Sequence, residues 1–234
     1  SQADLFVNDA FGVSHRNHAS IVGIPQLLPS CGGLLLKKEV ESISKAINNP
    51  QKPYVALIGG AKISTKLHLL DRLLGLADTL IVGGGIANTL LAAQGHHIGR
   101  SLEEPQEHEH GKKLIELAKQ KNTELILPLD VVVAEQKDTD QVMVKNINEV
   151  QEREFILDIG PQTDAHYALY IATAKTIIWS GPFGYIENPL CRRGTDFIYY
   201  SIAENQQAIS IVGGGETLSA ISKKEHLEKI THIS

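Results

Sequence analysis

The stretch Gly59-Gly60-Ala61-Lys62-Ile63-Ser64-Thr65-Lys66 puts two glycines, two hydroxyls and two lysines four residues apart into eight positions. A glycine pair lets the backbone bend sharply and approach a ligand closely, and the free amides at the start of a helix favour an anion. The stretch reads as strand, tight turn and helix, so Lys62 and Lys66, four apart, sit on one helical face and can set two mobile ammonium groups on one polyphosphate. The glycine spacing is not that of a Walker motif. Taken alone, the stretch is accounted for at least as well by an ordinary strand-to-helix turn with two solvated lysines.

Gly213-Gly214-Gly215-Glu216-Thr217-Leu218-Ser219 repeats the theme as a second phosphate cradle. Glu216 is a candidate for holding Mg²⁺, which takes carboxylate and phosphate oxygens and keeps several waters. It equally suits the positive end of a helix dipole. Glu187, just past Ser180-Gly181-Pro182-Phe183-Gly184, has the acceptors for ribose hydroxyls, or is a solvated surface glutamate. His15, Arg16 and His18 make 13–20 a cationic loop, suited to an acidic small molecule or simply solvated. His108 and His110 alternate at the start of a polar helix and do not share a face, so ordinary solvated side chains are expected there.

These residues need elements to hold them. Short aliphatic runs predict strands over 54–58, 79–82, 124–127, 176–179 and 209–212. Helical spacing predicts helices over 65–76, 86–94, 107–120, 165–174 and 196–204. Strand then helix, repeated, means an open parallel sheet with helices on both faces. Extra β-structure is expected near 142–146. Before this region, 5–7 reads as a short strand, and 21–49 as mostly helical with a break at 29–33. The prolines at 50 and 53 stop that helix. Three of the predicted strands close on glycine-rich turns, at Gly59-Gly60, Gly83-Gly84-Gly85 and Gly213-Gly214-Gly215, and a fourth closes on Ser180-Gly181-Pro182. Ligands of open α/β sheets bind beyond the carboxyl ends of the strands. Packing explains one glycine turn, whereas four at one edge imply that backbone approaches a flat or anionic ligand at several points.

Composition narrows the class further. With 234 residues, 42% hydrophobic and 21% charged, the chain has ordinary globular composition and room for a large domain. A net charge of −5 gives no electrostatic footprint for nucleic acid. Cys31 and Cys191 have no metal-ligand spacing and suit a reducing compartment. No stretch is long and apolar enough to span a membrane, so a cytoplasmic protein is the expectation. A run such as Ala3-Asp4-Leu5-Phe6-Val7, so soon after a first residue that is not Met, reads as a chain entered partway through a larger protein.

Six motifs in order resemble the phosphoglycerate kinase family. They are Asn8-Asp9-Ala10-Phe11-Gly12 with His15-Arg16-Asn17-His18-Ala19-Ser20; the 59–66 stretch; Gly83-Gly84-Gly85-Ile86-Ala87-Asn88-Thr89; Asp158-Ile159-Gly160-Pro161; Trp179-Ser180-Gly181-Pro182; and Val212-Gly213-Gly214-Gly215. The resemblance implies a Rossmann-like, doubly wound three-layer α/β/α lobe at 51–234 that binds MgATP or MgADP. It further implies a helical connector at 21–50 and, at 1–20, the remnant of a lobe that binds 3-phosphoglycerate. By this comparison the chain starts near the end of the first lobe and stops before a glycine-rich segment the family usually has.

The implied activity is reversible phosphoryl transfer between 1,3-bisphosphoglycerate and ADP, slow without the missing lobe, in a monomer acting on small molecules. A nucleotide-binding module without kinase activity is the alternative. A dehydrogenase lacks support, because no G-x-G-x-x-G follows the first strand. Residue by residue, Arg16 with His15 would remain of the phosphoglycerate site. Lys66 would bind the nucleotide phosphates and Lys62 the transferred phosphoryl group. Gly59, Gly60 and Ala61 belong to the same turn. Gly83, Gly84, Gly85 and Pro182 would lie near the adenosine, and Glu187 would hold the ribose. Gly213, Gly214, Gly215, Glu216 and Thr217 would line the phosphate and metal site. Glu216 stands where most relatives have Asp, and Ser180 where most have Asn.

Overall fold

The structure, a computed structural model, describes residues 3–221 and 225–234; the domain expectations for 1–20 and 51–234 extend at 1, 2 and 222–224 outside the described residues. The chain divides into two compact units, Ser1–Pro50 with Ser234, and Gln51–Ile233.

The first unit pairs strands β1 (Phe6–Asn8) and β2 (Ser30–Gly32) in parallel, with Phe6 opposite Ser30. Short helical turns at Ala19–Gly23 and Ile24–Gln26 lie between them, and α1 (Leu34–Asn48) follows. The break expected at 29–33 is therefore a strand. The Asp9 carboxylate accepts the Leu36 amide at 2.8 Å, satisfying one of the free N–H groups at the start of α1. Among the residues of this unit whose burial is described only Gly33 and Glu39 are buried, and Leu27 and Leu34 are 83% and 85% exposed.

The second unit is built on a six-stranded parallel sheet. Its strands are β3 (Tyr54–Ile58), β4 (Thr79–Val82), β5 (Glu124–Ile126), β9 (Thr176–Ser180), β10 (Ile209–Gly213) and β11 (His232–Ile233), in the order β11-β10-β9-β3-β4-β5. Every residue of β3 is buried, as the unbroken aliphatic run requires of a strand covered on both faces. Val55 and Leu57 point to one face, where they meet α5 (Pro161–Thr173) and α6 (Arg193–Glu204) through Tyr167, Ile171, Ile198 and Ile202. Tyr54, Ala56 and Ile58 point to the other. There they meet α2 (Leu67–Leu73), α3 (Gly84–Ala93) and α4 (His108–Gln120) through Leu70, Ile86, Leu90 and Leu114. This is the three-layer, doubly wound arrangement that the alternating pattern predicts.

Between β5 and β9 the chain makes a second sheet, three-stranded and antiparallel. It is formed by β6 (Asp130–Ala134), β7 (Met143–Asn146) and β8 (Phe155–Ile159) in the order β7-β6-β8. The extra β-structure expected near 142–146 is β7. A short α7 (Gly215–Ala220) follows β10.

Candidate functional site

Strands β10, β9, β3 and β4 lie side by side and run the same way, so the turns after all four stand at one edge of the sheet. From β3 the chain moves through α2 to β4 on one side, whereas from β9 it moves through α6 to β10 on the other. The crevice between β3 and β9 is thus the switch point where open α/β sheets collect ligands.

The turns touch one another. The Gly59 amide donates to the Ser180 carbonyl at 2.9 Å, and the Gly60 amide to the Pro182 carbonyl at 2.8 Å. Any side chain at Gly59 would run into the Pro182 carbonyl, and one at Gly181, whose φ is +93°, into that of Gly59. Thr217 is fully buried; its hydroxyl accepts the Gly181 amide at 2.6 Å and donates to the Gly213 carbonyl at 2.7 Å. In this structure Thr217 therefore joins the β9 and β10 turns and does not face the cleft.

Lys66 fills the crevice. It stands at the N-cap of α2, and its ammonium folds back onto the Gly59 carbonyl at 2.8 Å, the Ser180 carbonyl at 3.0 Å and the Ser180 hydroxyl at 3.2 Å. Burial pulls its pKa below the ordinary lysine value, against a raising field from Glu216. The expectation that Lys62 and Lys66 share a helical face is corrected here. Lys62 is exposed in irregular chain, residues 64–66 form a turn, and α2 begins only at Leu67. The cause is Glu104, whose carboxylate takes the Ser64 amide and hydroxyl at 2.8 and 2.7 Å, while the Thr65 hydroxyl closes back on the Lys62 carbonyl at 2.8 Å.

Above the crevice opens a cleft of about 630 Å³, within the usual range for small-molecule sites. Gly60, Ala61, Gly84 and Gly85 line one side; Pro182, Glu187, Gly215 and Glu216 line the other. The antiparallel sheet contributes Phe155 and Asp158. A Cβ added at Gly215, on the cleft wall, would meet no protein atom within 4 Å, so no packing contact requires glycine there. No group of three or more potential metal-ligating side chains occurs among the described residues. Glu216, an exposed carboxylate on the cleft, fits Mg²⁺ that arrives with phosphate oxygens and water as its other ligands.

Of the residues singled out from sequence, Gly59, Gly83, Lys62, Lys66, Gly213 and Gly214 belong to the same edge without lining the cleft itself. His15 and Arg16 belong to the first unit, exposed on the turn after Phe11–Val13. His108 and His110 are not simply solvated. His108 pairs with Glu103 and His110 with Glu107 at 3.0 Å, because the acidic residues just before α4 lie within reach.

The sequence profile described as Phosphoglycerate kinase matches residues 1–234. The chain belongs to the phosphoglycerate kinase family. It is 46% identical over 233 residues to a phosphoglycerate kinase of Coxiella burnetii, covering 99% of this chain and 59% of that protein. It is 43% identical over 235 residues to one of Moorella thermoacetica, covering 100% of this chain and 60% of the relative. The solved structure of the Coxiella burnetii phosphoglycerate kinase superposes with a TM-score of 0.91, covering 99% of this chain and 60% of that one. That of Pyrococcus horikoshii OT3 superposes at 0.81 with 28% identity, over 99% and 58%. The chain thus spans about 60% of the length of the relatives it matches.

The Ser180 hydroxyl is one of the three acceptors around Lys66. Three supporting residues were not singled out from sequence. Asn188 is buried and holds the Lys137 and Thr139 carbonyls at 3.0 and 2.9 Å, tying the loop after β6 to the segment that carries Glu187. Asp158, 1% exposed, takes the Gly194 amide at 2.8 Å and so fixes the start of α6 under the cleft. Burial pushes its carboxyl up to about 8, against the Gly194 and Ile159 amides. Glu104 is the third. Asp158 lies in the Asp158-Ile159-Gly160-Pro161 motif, whereas Glu104, next to Glu103 and a proline, carries no signal in the sequence.

Proposed function

We propose that this chain supplies the nucleotide-binding lobe of a phosphoglycerate kinase at 51–234, with 21–50 as helical connector and 1–20 as the end of the 3-phosphoglycerate lobe. The reaction is reversible phosphoryl transfer between 1,3-bisphosphoglycerate and ADP. One observation carries the reading. Four glycine turns form a single hydrogen-bonded rim at the switch point, with the Lys66 ammonium inside it.

Phosphoryl transfer asks chiefly for positioning and for neutralisation of charge spread over the equatorial oxygens. In this reading the Gly214 and Gly215 amides at the start of α7 meet the phosphates, beside the Gly60 turn, whose own amide is held by the Pro182 carbonyl. Lys66 neutralises them from below, and Lys62, free to swing on its exposed turn, follows the transferred group. Gly84, Gly85 and Pro182, on the cleft wall, present flat backbone to the adenosine, with Gly83 adjoining them outside the cleft, and the Glu187 carboxylate accepts from ribose hydroxyls. Mg²⁺, when bound with the nucleotide, lowers the charge of its phosphates, and Glu216 would hold it. Arg16 with His15 would meet the carboxylate or phosphate of phosphoglycerate.

Glu216 and Ser180 motivate a second reading, a nucleotide-binding module without turnover. Calorimetry of the chain with MgADP tests the first: saturable heat is expected, and none at millimolar nucleotide would sink it. In a chain extended to full family length, Glu216→Asp with Ser180→Asn should restore turnover if the second reading holds. Wild-type turnover in that longer chain would dismiss it.

A further inference from the structure

Glu104 is 8% exposed and lies outside the cleft, on the loop between α3 and α4, yet it is tied to both turns on that side of the sheet. Its Oε2 accepts the Ser64 amide at 2.8 Å and its Oε1 the Ser64 hydroxyl at 2.7 Å, and the Ile63 amide lies near enough to the same carboxylate to favour its charge. Its own amide donates to the Thr89 hydroxyl at 3.1 Å, and that hydroxyl donates to the Gly85 carbonyl at 2.8 Å. Two residues earlier, the Leu102 carbonyl accepts the Asn88 side-chain amide at 3.1 Å. Asn88 and Thr89 of α3 therefore fasten the loop, and the loop carries a carboxylate across to the turn that bears Lys62 and Lys66. The Ile63 and Ser64 amides precede α2 and have no partner within it, so the carboxylate acts as their cap. Ile63 itself is fully buried, which fixes where the turn sits once those amides are held.

We propose that Glu104 is a positioning residue for the polyphosphate: it locks turn 61–66 against α3 and so sets where Lys62 and Lys66 meet the ligand, without touching it. Burial raises the pKa of this carboxyl, yet the Ser64 amide and hydroxyl, the Lys62 charge and the Ile63 amide together hold it below the ordinary glutamate value. It therefore works as an anion. The proposal rests on the nucleotide reading above and adds to it a residue that acts only at the phosphate end.

Glu104→Gln keeps the shape but removes the charge: its oxygen can still accept the Ser64 amide and its NH₂ can turn to the Ser64 hydroxyl, which accepts as well as donates, so only the charge assistance is lost. Calorimetry on the whole chain should show MgADP weakened about tenfold, the factor expected for loss of a charge-assisted hydrogen bond, and adenosine unchanged within about twofold. Equal weakening of both ligands would mean a general structural role and overturn the proposal, as would no weakening of either. Ser64→Ala removes one leg only and should weaken MgADP less. Combined with Glu104→Gln it should add nothing, and additive losses would count against a shared clamp. Amide exchange at Ile63 and Ser64 in the unliganded chain gives a readout independent of nucleotide. It should quicken at least about tenfold in Glu104→Gln, and unchanged protection overturns the proposal. If the wild-type chain binds no MgADP, the nucleotide reading falls by itself, and exchange then decides whether Glu104 holds the turn.

Discussion

The ammonium of Lys66 lies 3.0 Å from the carbonyl oxygen of Ser180 and 3.2 Å from the hydroxyl of the same residue. Lys66 comes from the turn after β3 and Ser180 ends β9, so this contact, with the bond to Gly59, pins together the two parallel strands on either side of which the chain winds in opposite directions. The cation that would meet a phosphate is also what closes the switch point.

Lys66→Met should therefore lose two things at once. Carbonyls left without their charged donor cost about 1–3 kcal/mol in urea unfolding, and MgADP affinity should fall at least about tenfold. Ser180→Ala, which removes only the hydroxyl acceptor, should cost less than about 1 kcal/mol. An equal loss from both variants would contradict this division.

The pH profile of MgADP binding follows from the direction of the Lys66 shift. Burial depresses this cation, so the folded chain gives up its proton at a pH where the unfolded chain still holds one. This group therefore makes stability rise with pH below the ordinary lysine value, while ligand affinity declines in the same window because the charge disappears. Glu216→Gln removes the opposing field, and the alkaline limb of a calorimetric Kd profile should move to lower pH. Superimposable profiles would count against the coupling.

Asp158 acts in the opposite sense on stability. With its carboxyl pushed up to about 8, the folded state keeps a proton that the unfolded state has lost above roughly pH 4. Stability from this group is greatest at the acid end and falls as pH rises to about 8, with a slope of at most about 1.4 kcal/mol per pH unit. Asp164, raised to about 6 by burial despite its ion pair with Arg193, adds to the lower part of that window. Urea midpoints from pH 5 to 9 should show the decline in the wild-type chain and a flatter curve in Asp158→Asn.

Two glycines should respond in opposite ways to alanine. Gly59→Ala drives a methyl into the Pro182 carbonyl and should cost about 1–3 kcal/mol, read as a drop in melting temperature. Gly215→Ala meets no protein atom, so stability should change by less than about 0.5 kcal/mol while MgADP affinity falls. Intact binding in Gly215→Ala would remove that backbone from the site.

The sheet was legible because buried parallel strands announce themselves. The expected strands 54–58 and 79–82 match β3 and β4 residue for residue, since glycine or a polar turn bounds each aliphatic run. The shared edge followed from the same glycines. The face of Lys62 and Lys66 was misread because helical leucine spacing says nothing about a carboxylate some forty residues away, and Glu104 delays the helix by capturing Ser64. The pairing of His108 and His110 with Glu103 and Glu107 escaped for a milder reason. The solvated reading weighed the two imidazoles against each other and not against the acids just before them.

Strand β3 pairs Tyr54 with Thr176 on one flank and Val55 with Thr79 on the other. A chain being synthesised has the second partner early and the first only much later, and such distant pairings form slowly. Until Trp179 emerges, what becomes the innermost strand has one row of N–H and C=O groups bare, the condition that invites pairing with other chains. The most protected strand of the finished protein is thus its most vulnerable one at birth.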